Sequence, residues 1–253
     1  MDIFEYNGKR YRMTYDLHTH TVFSHGKDTI ESNVLVAREK GLKKIAITDH
    51  GPSHLTYSVA RKDFPKMRAE VDRLNELYDD IEILLGVEAN IVNSKKNKYI
   101  DVTEDEKKYF DFINAGYHFG VLKGYCIKNY LMKKLPFSKS SIDRQRYINT
   151  RMIINAIKNN DLKILTHPGD KAFVDMYKIA KVCEEYKVLM EINSAHTHMN
   201  VEEIKIASKY DIKFVISSDA HVASRVGDFR PGLLRAFEAG IDVDRIDNIE
   251  EVI

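Results

Sequence analysis

Residues 15–29 read YDLHTHTVFSHGKDT, and they set the problem for the whole chain. Three of the ten histidines, His18, His20 and His25, fall within eight positions, behind the strand-like run YRMTYDL at 11–17. A surface loop has no use for so many imidazoles, and an apolar core would struggle to satisfy three rings at once. Where the other histidines fall decides what the segment is for.

Outward from that stretch, short apolar runs recur: KKIAIT (43–48), IEILLGVE (81–88), FDFINAG (110–116), LKILT (162–166), VLMEIN (188–193) and KFVISS (213–218). Several are nearly continuous in Ile, Leu and Val, as strands covered on both faces tend to be. Helical patterns lie between them. IESNVLVAREKGL stops at Gly41, and FPKMRAEVDRLNELYDD carries Met67, Val71, Leu74 and Leu77 at three- and four-residue spacing. SIDRQRYINTRMIINAIKNN, FVDMYKIAKVCEEYK and VEEIKIASKYD behave alike. Strand and helix alternate without a flexible linker, which predicts one domain over residues 1–253 built on a parallel sheet. That sheet is either a closed barrel or an open doubly wound sheet. Ahead of it, IFEYNGKRYRM predicts a hairpin within residues 1–13, turning at Asn7-Gly8.

The titratable residues sit at one place on this frame. His18 and His20 follow the first strand, Asp49 and His50 end the second, and Glu88 ends the third. His118 follows the fourth, His167 the fifth, Glu191 closes the sixth, and Asp219 and His221 follow the seventh. Every predicted strand therefore delivers a His, Asp or Glu at its carboxyl end, where parallel α/β folds place their chemistry. An open sheet would hold its outer strands too far apart to share one site, so the pattern favours closure. Imidazole with carboxylate and no thiolate suits zinc, iron or manganese. The set exceeds one ion's needs, which predicts two to three divalent transition-metal ions sharing a carboxylate, an arrangement suited to in-line displacement at phosphorus. Asp16 and Asp49, each beside a ligand histidine, are expected as outer acceptors that fix an imidazole tautomer.

The motifs DLHTHT, ITDHG, GVEAN, THPG and SDAH, taken together, resemble the PHP family, named for polymerase and histidinol phosphatase. The likeness runs from about residue 14 to 228, and AITDHGP, GVEANI and HPG are most similar to the small bacterial stand-alone phosphatases called YcdX-like. The resemblance implies a distorted seven-stranded (β/α)7 barrel with a trinuclear centre that hydrolyses phosphoesters. Carried over by position, it implies that His18, His20, Glu88 and Asp219 hold the first ion. Glu88 bridges to a second held by His118 and His167, and His25, His50 and His221 hold the third. Glu88, Asp219 and His221 are the residues expected to be catalytic. One departure is the longer, basic stretch after His118, GVLKGYCIKNYLMKKLPFSKSS, an insert over 120–140 expected on the catalytic face.

Other residues are weighed against that cage. Arg225, His54 and Glu191 are expected to contact substrate, Glu191 with an outer-ligand role as the alternative. Arg144 and Arg146 read as a solvated helix face, and His196 and His198 as loop residues, with the cavity wall as the alternative because they follow the sixth strand. Lys123, Lys128, Lys133, Lys134 and Lys139 are either solvated surface or a cationic lid. The 39 basic and 38 acidic residues nearly cancel, so no long nucleic acid is expected as partner, nor a membrane. Cys126 and Cys183 form no disulfide framework and read as small fillers in a reducing cytoplasm. The N-terminus lacks a signal-peptide pattern and no run is long enough to span a bilayer. The reading is a cytoplasmic phosphomonoester phosphatase using a metal-bound hydroxide on a small phosphorylated substrate, and a homo-oligomer is compatible with it. Its alternatives are a phosphodiesterase or exonuclease on short nucleic acid, a histidinol-phosphate phosphatase, an acyl hydrolase, and a non-catalytic metal-binding module.

Overall fold

The computed structural model describes residues 2–252, apart from the side chain of Cys126, so the reading of that thiol lies outside the described residues. Seven parallel strands form one sheet in chain order: β3 (Tyr15–Asp16), β4 (Lys44–Ile47), β5 (Glu82–Asn90), β6 (Phe112–Gly116), β7 (Leu162–Leu165), β8 (Leu189–Asn193) and β9 (Phe214–Ser217). The sheet curls until its two edges meet. Thr19 and Ala220 form a parallel bridge, with the His20 amide donating to the Ala220 carbonyl at 2.8 Å. Asp16 ties the same seam, its carboxylate accepting from the amides of His18, Ser218 and Gly227. The result is a nearly closed, distorted seven-stranded barrel.

Helices α1 (Ile30–Lys40), α2 (Phe64–Leu77), α3 (Cys126–Lys134), α4 (Lys139–Asn159), α5 (Met176–Tyr186), α6 (Val201–Ala207) and α7 (Arg230–Glu238) cover the outside. Only short 3-10 turns connect β5 to β6, where a regular barrel would carry a helix. Thr29 caps α1 by accepting from the Ser32 amide, and Gly41 ends it at φ +79°, a left-handed conformation that costs glycine little.

The run 11–17 is not one strand. It breaks at Thr14: β2 (Lys9–Met13) leaves the barrel and joins β1 (Phe4–Tyr6) through the Asn7-Gly8 turn. A C-terminal strand, β10 (Ile249–Val252), which no apolar run in the sequence announces, adds to the other edge of β2. This antiparallel sheet floors the amino end of the barrel, with Tyr6 stacked on Phe237 and Phe4 edge-on to Phe229.

Inside the barrel the period of two decides what meets what. Leu17, Ala46, Ile164, Leu189 and Val215, with Leu84 and Phe112 against them, form an apolar plug separate from the main core. One residue comes from each strand or its immediate extension. Two or four positions further along the same faces stand Glu88 on β5, Asn114 on β6 and Glu191 on β8, each fully buried. The plug therefore gives way to a polar layer as the strands approach their carboxyl ends.

Candidate metal centre

Glu88 is the centre of that layer. Its Oε1 lies 2.9 Å from His167 Nε2 and 3.2 Å from His118 Nε2. Its Oε2 lies 2.8 Å from His50 Nδ1 and 3.3 Å from His18 Nε2. His20 Nε2 is 3.1 Å from both His18 Nε2 and Asp219 Oδ1. His221 and His25 complete the upper side, their rings 4.1 Å apart and His25 stacked 4.8 Å from His50. Three overlapping groups result: His18, His20 and Glu88; His50, Glu88 and His118; and His20, His50 and His221. The nine residues expected as ligands are thus gathered at one place.

The geometry of this cluster fits cations better than it fits hydrogen bonds. Facing ring nitrogens approach to 3.1 Å in His18–His20 and 3.3 Å in His118–His167. His50 Nδ1 and Glu88 Oε2, though close, are not aligned as donor and acceptor, and both are buried without a hydrogen-bond partner among the described residues. Donor atoms that converge on shared points and not on one another are what a metal site requires. Backbone strain accompanies it: His167 sits at φ +28° and Asp219 at φ +51°, regions costly for residues with a Cβ. Gly116 lacks one for cause, since a Cβ there would press on Thr166 and come within 2.8 Å of Glu88 Oε1.

Charge states follow from burial and neighbours. Burial pulls His25 down to about 3, with the His221 and His50 charges acting in the same direction. Burial also lowers His118 to about 4, against the pull of Glu88, so these rings are neutral with lone pairs available near pH 7. Burial disfavours the ionised Glu88 and Asp219 carboxylates, but the surrounding imidazoles hold both well below the ordinary carboxyl range. His18 is opposite: burial opposes its proton, yet Glu88, Glu191 and Asp219 raise it well above the ordinary imidazole value. A cation entering among those carboxylates would displace that proton.

Outer partners aim the rings. Asn90 Oδ1 lies 2.8 Å from His118 Nδ1 and Thr166 donates to Glu88 Oε1 at 2.6 Å. Glu191 lies 2.6 Å from His18 Nδ1 and accepts from the His167 amide at 2.7 Å. It is fully buried, and of its two expected roles, substrate contact and outer ligand, these contacts are those of the outer one. Asp16 and Asp49 are corrected in the other direction. Asp16 binds the seam amides, and Asp49 accepts from the Thr21 amide and hydroxyl and from Ser24; neither carboxylate bonds an imidazole. They shape the HTHTVFSH loop instead of its rings.

Above the cluster opens a cavity of about 460 Å³, lined by His54, Tyr57, Phe119, Lys171 and His196 together with the exposed sides of the ligand histidines. Of the residues expected to contact substrate, His54 lines this cavity, whereas Arg225 lies in the turn Ala223–Arg225, pairs with Asp228 and is absent from the lining. None of the insert lysines lines the cavity either, and Lys133 donates to the Gly169 and Asp170 carbonyls. His196, read as a loop residue, reaches Asp219 Oδ2 at 3.2 Å. Asn90 and Asn193, two residues beyond Glu88 and Glu191, were discoverable from the same-face rule; His196 carried only its place after the sixth strand, and Lys171 no such signal.

A PHP domain model matches residues 16–195. The chain belongs to the PHP family. A probable phosphatase of Thermoanaerobacter sp. (strain X514) is 33% identical over 254 residues, spanning 94% of this chain and 91% of its own. One from Aeromonas hydrophila subsp. hydrophila is 31% identical over 250 residues, covering 93% and 89%. Among solved structures, the histidinol phosphate phosphatase of Lactococcus lactis subsp. lactis Il1403, complexed with zinc, L-histidinol and phosphate, superposes with a TM-score of 0.63 at 17% identity, over 91% of this chain and 95% of that one. That likeness is one of fold. As a PHP protein with phosphatase relatives over nearly its whole length, the chain is a metal-dependent hydrolase of phosphoric esters.

Proposed function

We propose that this protein is a phosphomonoesterase acting on a small phosphorylated metabolite through two to three divalent ions, with zinc the leading candidate. The observation that carries the reading is Glu88, whose two oxygens face different sets of imidazoles and so can bridge two cations. His18, His20, Glu88 and Asp219 would hold one ion, Glu88, His118 and His167 a second, and His25, His50 and His221 a third. Bound there, the ions would supply Lewis acidity toward phosphoryl oxygen and an activated water near neutral pH.

The chain's own residues do the rest. Glu191 and Asn90 hold His18 and His118 with Nε2 turned inward. The apolar plug closes the barrel below the site, so substrate and water reach it only from the cavity side. A cavity of about 460 Å³ suits a small ester. No helix among the described residues is long and apolar enough to cross a membrane. Cys183 is a buried free thiol, which supports the cytoplasm as location.

The test is metal reconstitution followed by elemental analysis and a panel of phosphomonoesters, dinucleotides and histidinol phosphate. We expect two to three equivalents of metal and a preference for monoesters. One equivalent or none at saturation would overturn the multinuclear centre, and faster turnover of dinucleotides would favour the diesterase alternative.

A further inference from the structure

Among the described residues, the cavity wall holds a single lysine or arginine, Lys171. It follows β7 in the loop HPGDK, four residues beyond His167, and its exposure is restricted to 29% of the side chain. Its ammonium pairs with Asp170, whose Oδ2 is also 3.4 Å from His196 Nδ1. His196 Nε2 in turn lies 3.2 Å from Asp219 Oδ2. A continuous chain of contacts, Lys171–Asp170–His196–Asp219, therefore ties this cation to the metal cluster. An ammonium has three donors, so pairing with Asp170 leaves N–H groups free for the cavity. The loops after β4 and β6 present His54, Tyr57 and Phe119 instead, with Tyr57 stacked 4.3 Å from His25 and 4.9 Å from His54. One wall is charged and the other aromatic.

We propose that Lys171 reads the phosphoryl dianion and makes the site select phosphomonoesters over diesters. This rests on the phosphomonoesterase reading above and names the residue that enforces it. A monoester dianion offers three non-bridging oxygens sharing two charges, enough to engage both the ions and a flanking ammonium. A diester offers two such oxygens sharing one charge, and its second alkoxy group brings no charge to Lys171. The ammonium therefore stabilises one substrate class and does little for the other. Asp170 is the positioning residue that holds it at the wall.

The experiment uses the full-length, metal-loaded protein with 4-nitrophenyl phosphate, bis(4-nitrophenyl) phosphate and inorganic phosphate as competitive inhibitor. Lys171→Ala should raise the inhibition constant of phosphate and lower kcat/KM for the monoester, each by about 10- to 100-fold, as expected for a lost charged hydrogen bond. Metal content should not change, diester turnover should stay within about twofold, and Lys171→Arg should recover most of the phosphate affinity by restoring charge. An unchanged phosphate constant, or an equal fall for both esters, would overturn the role of Lys171. Wild-type protein that turns over the diester faster than the monoester would instead overturn the phosphomonoesterase reading itself.

Discussion

At the amino end of the barrel the side chains that meet are Phe4, Tyr6, Tyr11, Phe229 and Phe237, packed against a three-stranded antiparallel floor. At the carboxyl end they are nine of the ten histidines, with Glu88, Glu191 and Asp219 among them. The floor is supplied by β1, β2 and α7 and the site by the ends of the seven barrel strands, with the apolar plug lying inside the barrel. The floor gains from burying apolar area, whereas the upper layer buries imidazoles and carboxylates, several of whose atoms, among them His50 Nδ1 and Glu88 Oε2, find no hydrogen-bond partner among the described residues. Apolar packing dominates one end and metal-ligating atoms the other, so substitutions at the two ends should separate.

The largest expected effect is at the upper end. Glu88→Gln should lower kcat/KM on the order of 10³-fold or more and reduce bound metal while circular dichroism stays native. His198→Ala is the control, because that ring pairs with Glu203 outside the cavity, and it should change kcat/KM by no more than about twofold. Equal losses in the two variants would break the contrast.

The floor should respond in the opposite currency. Phe229, 1% exposed, is expected to cost about 3–5 kcal/mol in urea unfolding when replaced by alanine. Per folded molecule its kcat should be retained, and a loss of kcat matching the loss of stability would show that the ends are coupled.

Smaller effects sharpen the boundary of the site. Glu191→Gln should weaken metal retention about 10- to 100-fold in a chelator competition, since it orients His18 without reaching the cavity. Arg225→Ala should be the mildest, within about 0.5 kcal/mol in stability and about twofold in kcat/KM, because its ion pair with Asp228 is exposed. A tenfold rise in KM for Arg225→Ala would return that arginine to the substrate path.

Much of this was legible in the chain itself. Apolar runs and their polar endings are local features, so the seven strands and the His, Asp and Glu at their carboxyl ends could be read directly, and closure followed from asking that those ends share one site. Residues in loops were a different matter. Nothing in SSDAHVASR tells whether Arg225 leans into the barrel or away, nothing in HPGDK marks Lys171 as a cavity residue, and the place of SAHTH after a strand leaves His196 between loop and cavity. Adjacency misled at Asp49, whose side chain, one position before His50, points to the other face and meets the Thr21 amide; Asp16, two positions before His18, is taken up instead by backbone amides of the seam.

The sequence by itself determined the alternation of strands and helices, the parallel sheet, and which residue types crowd its carboxyl edge, because each depends on patterns within about ten positions. Tertiary structure alone decided that YRMTYDL breaks at Thr14, that Ile249–Val252 returns to pair with β2, and that Glu191 backs His18 across 173 positions. It also decided which loop residues reach the cavity. Those outcomes depend on how a twisted sheet closes on itself, and closure is a property of all seven strands at once.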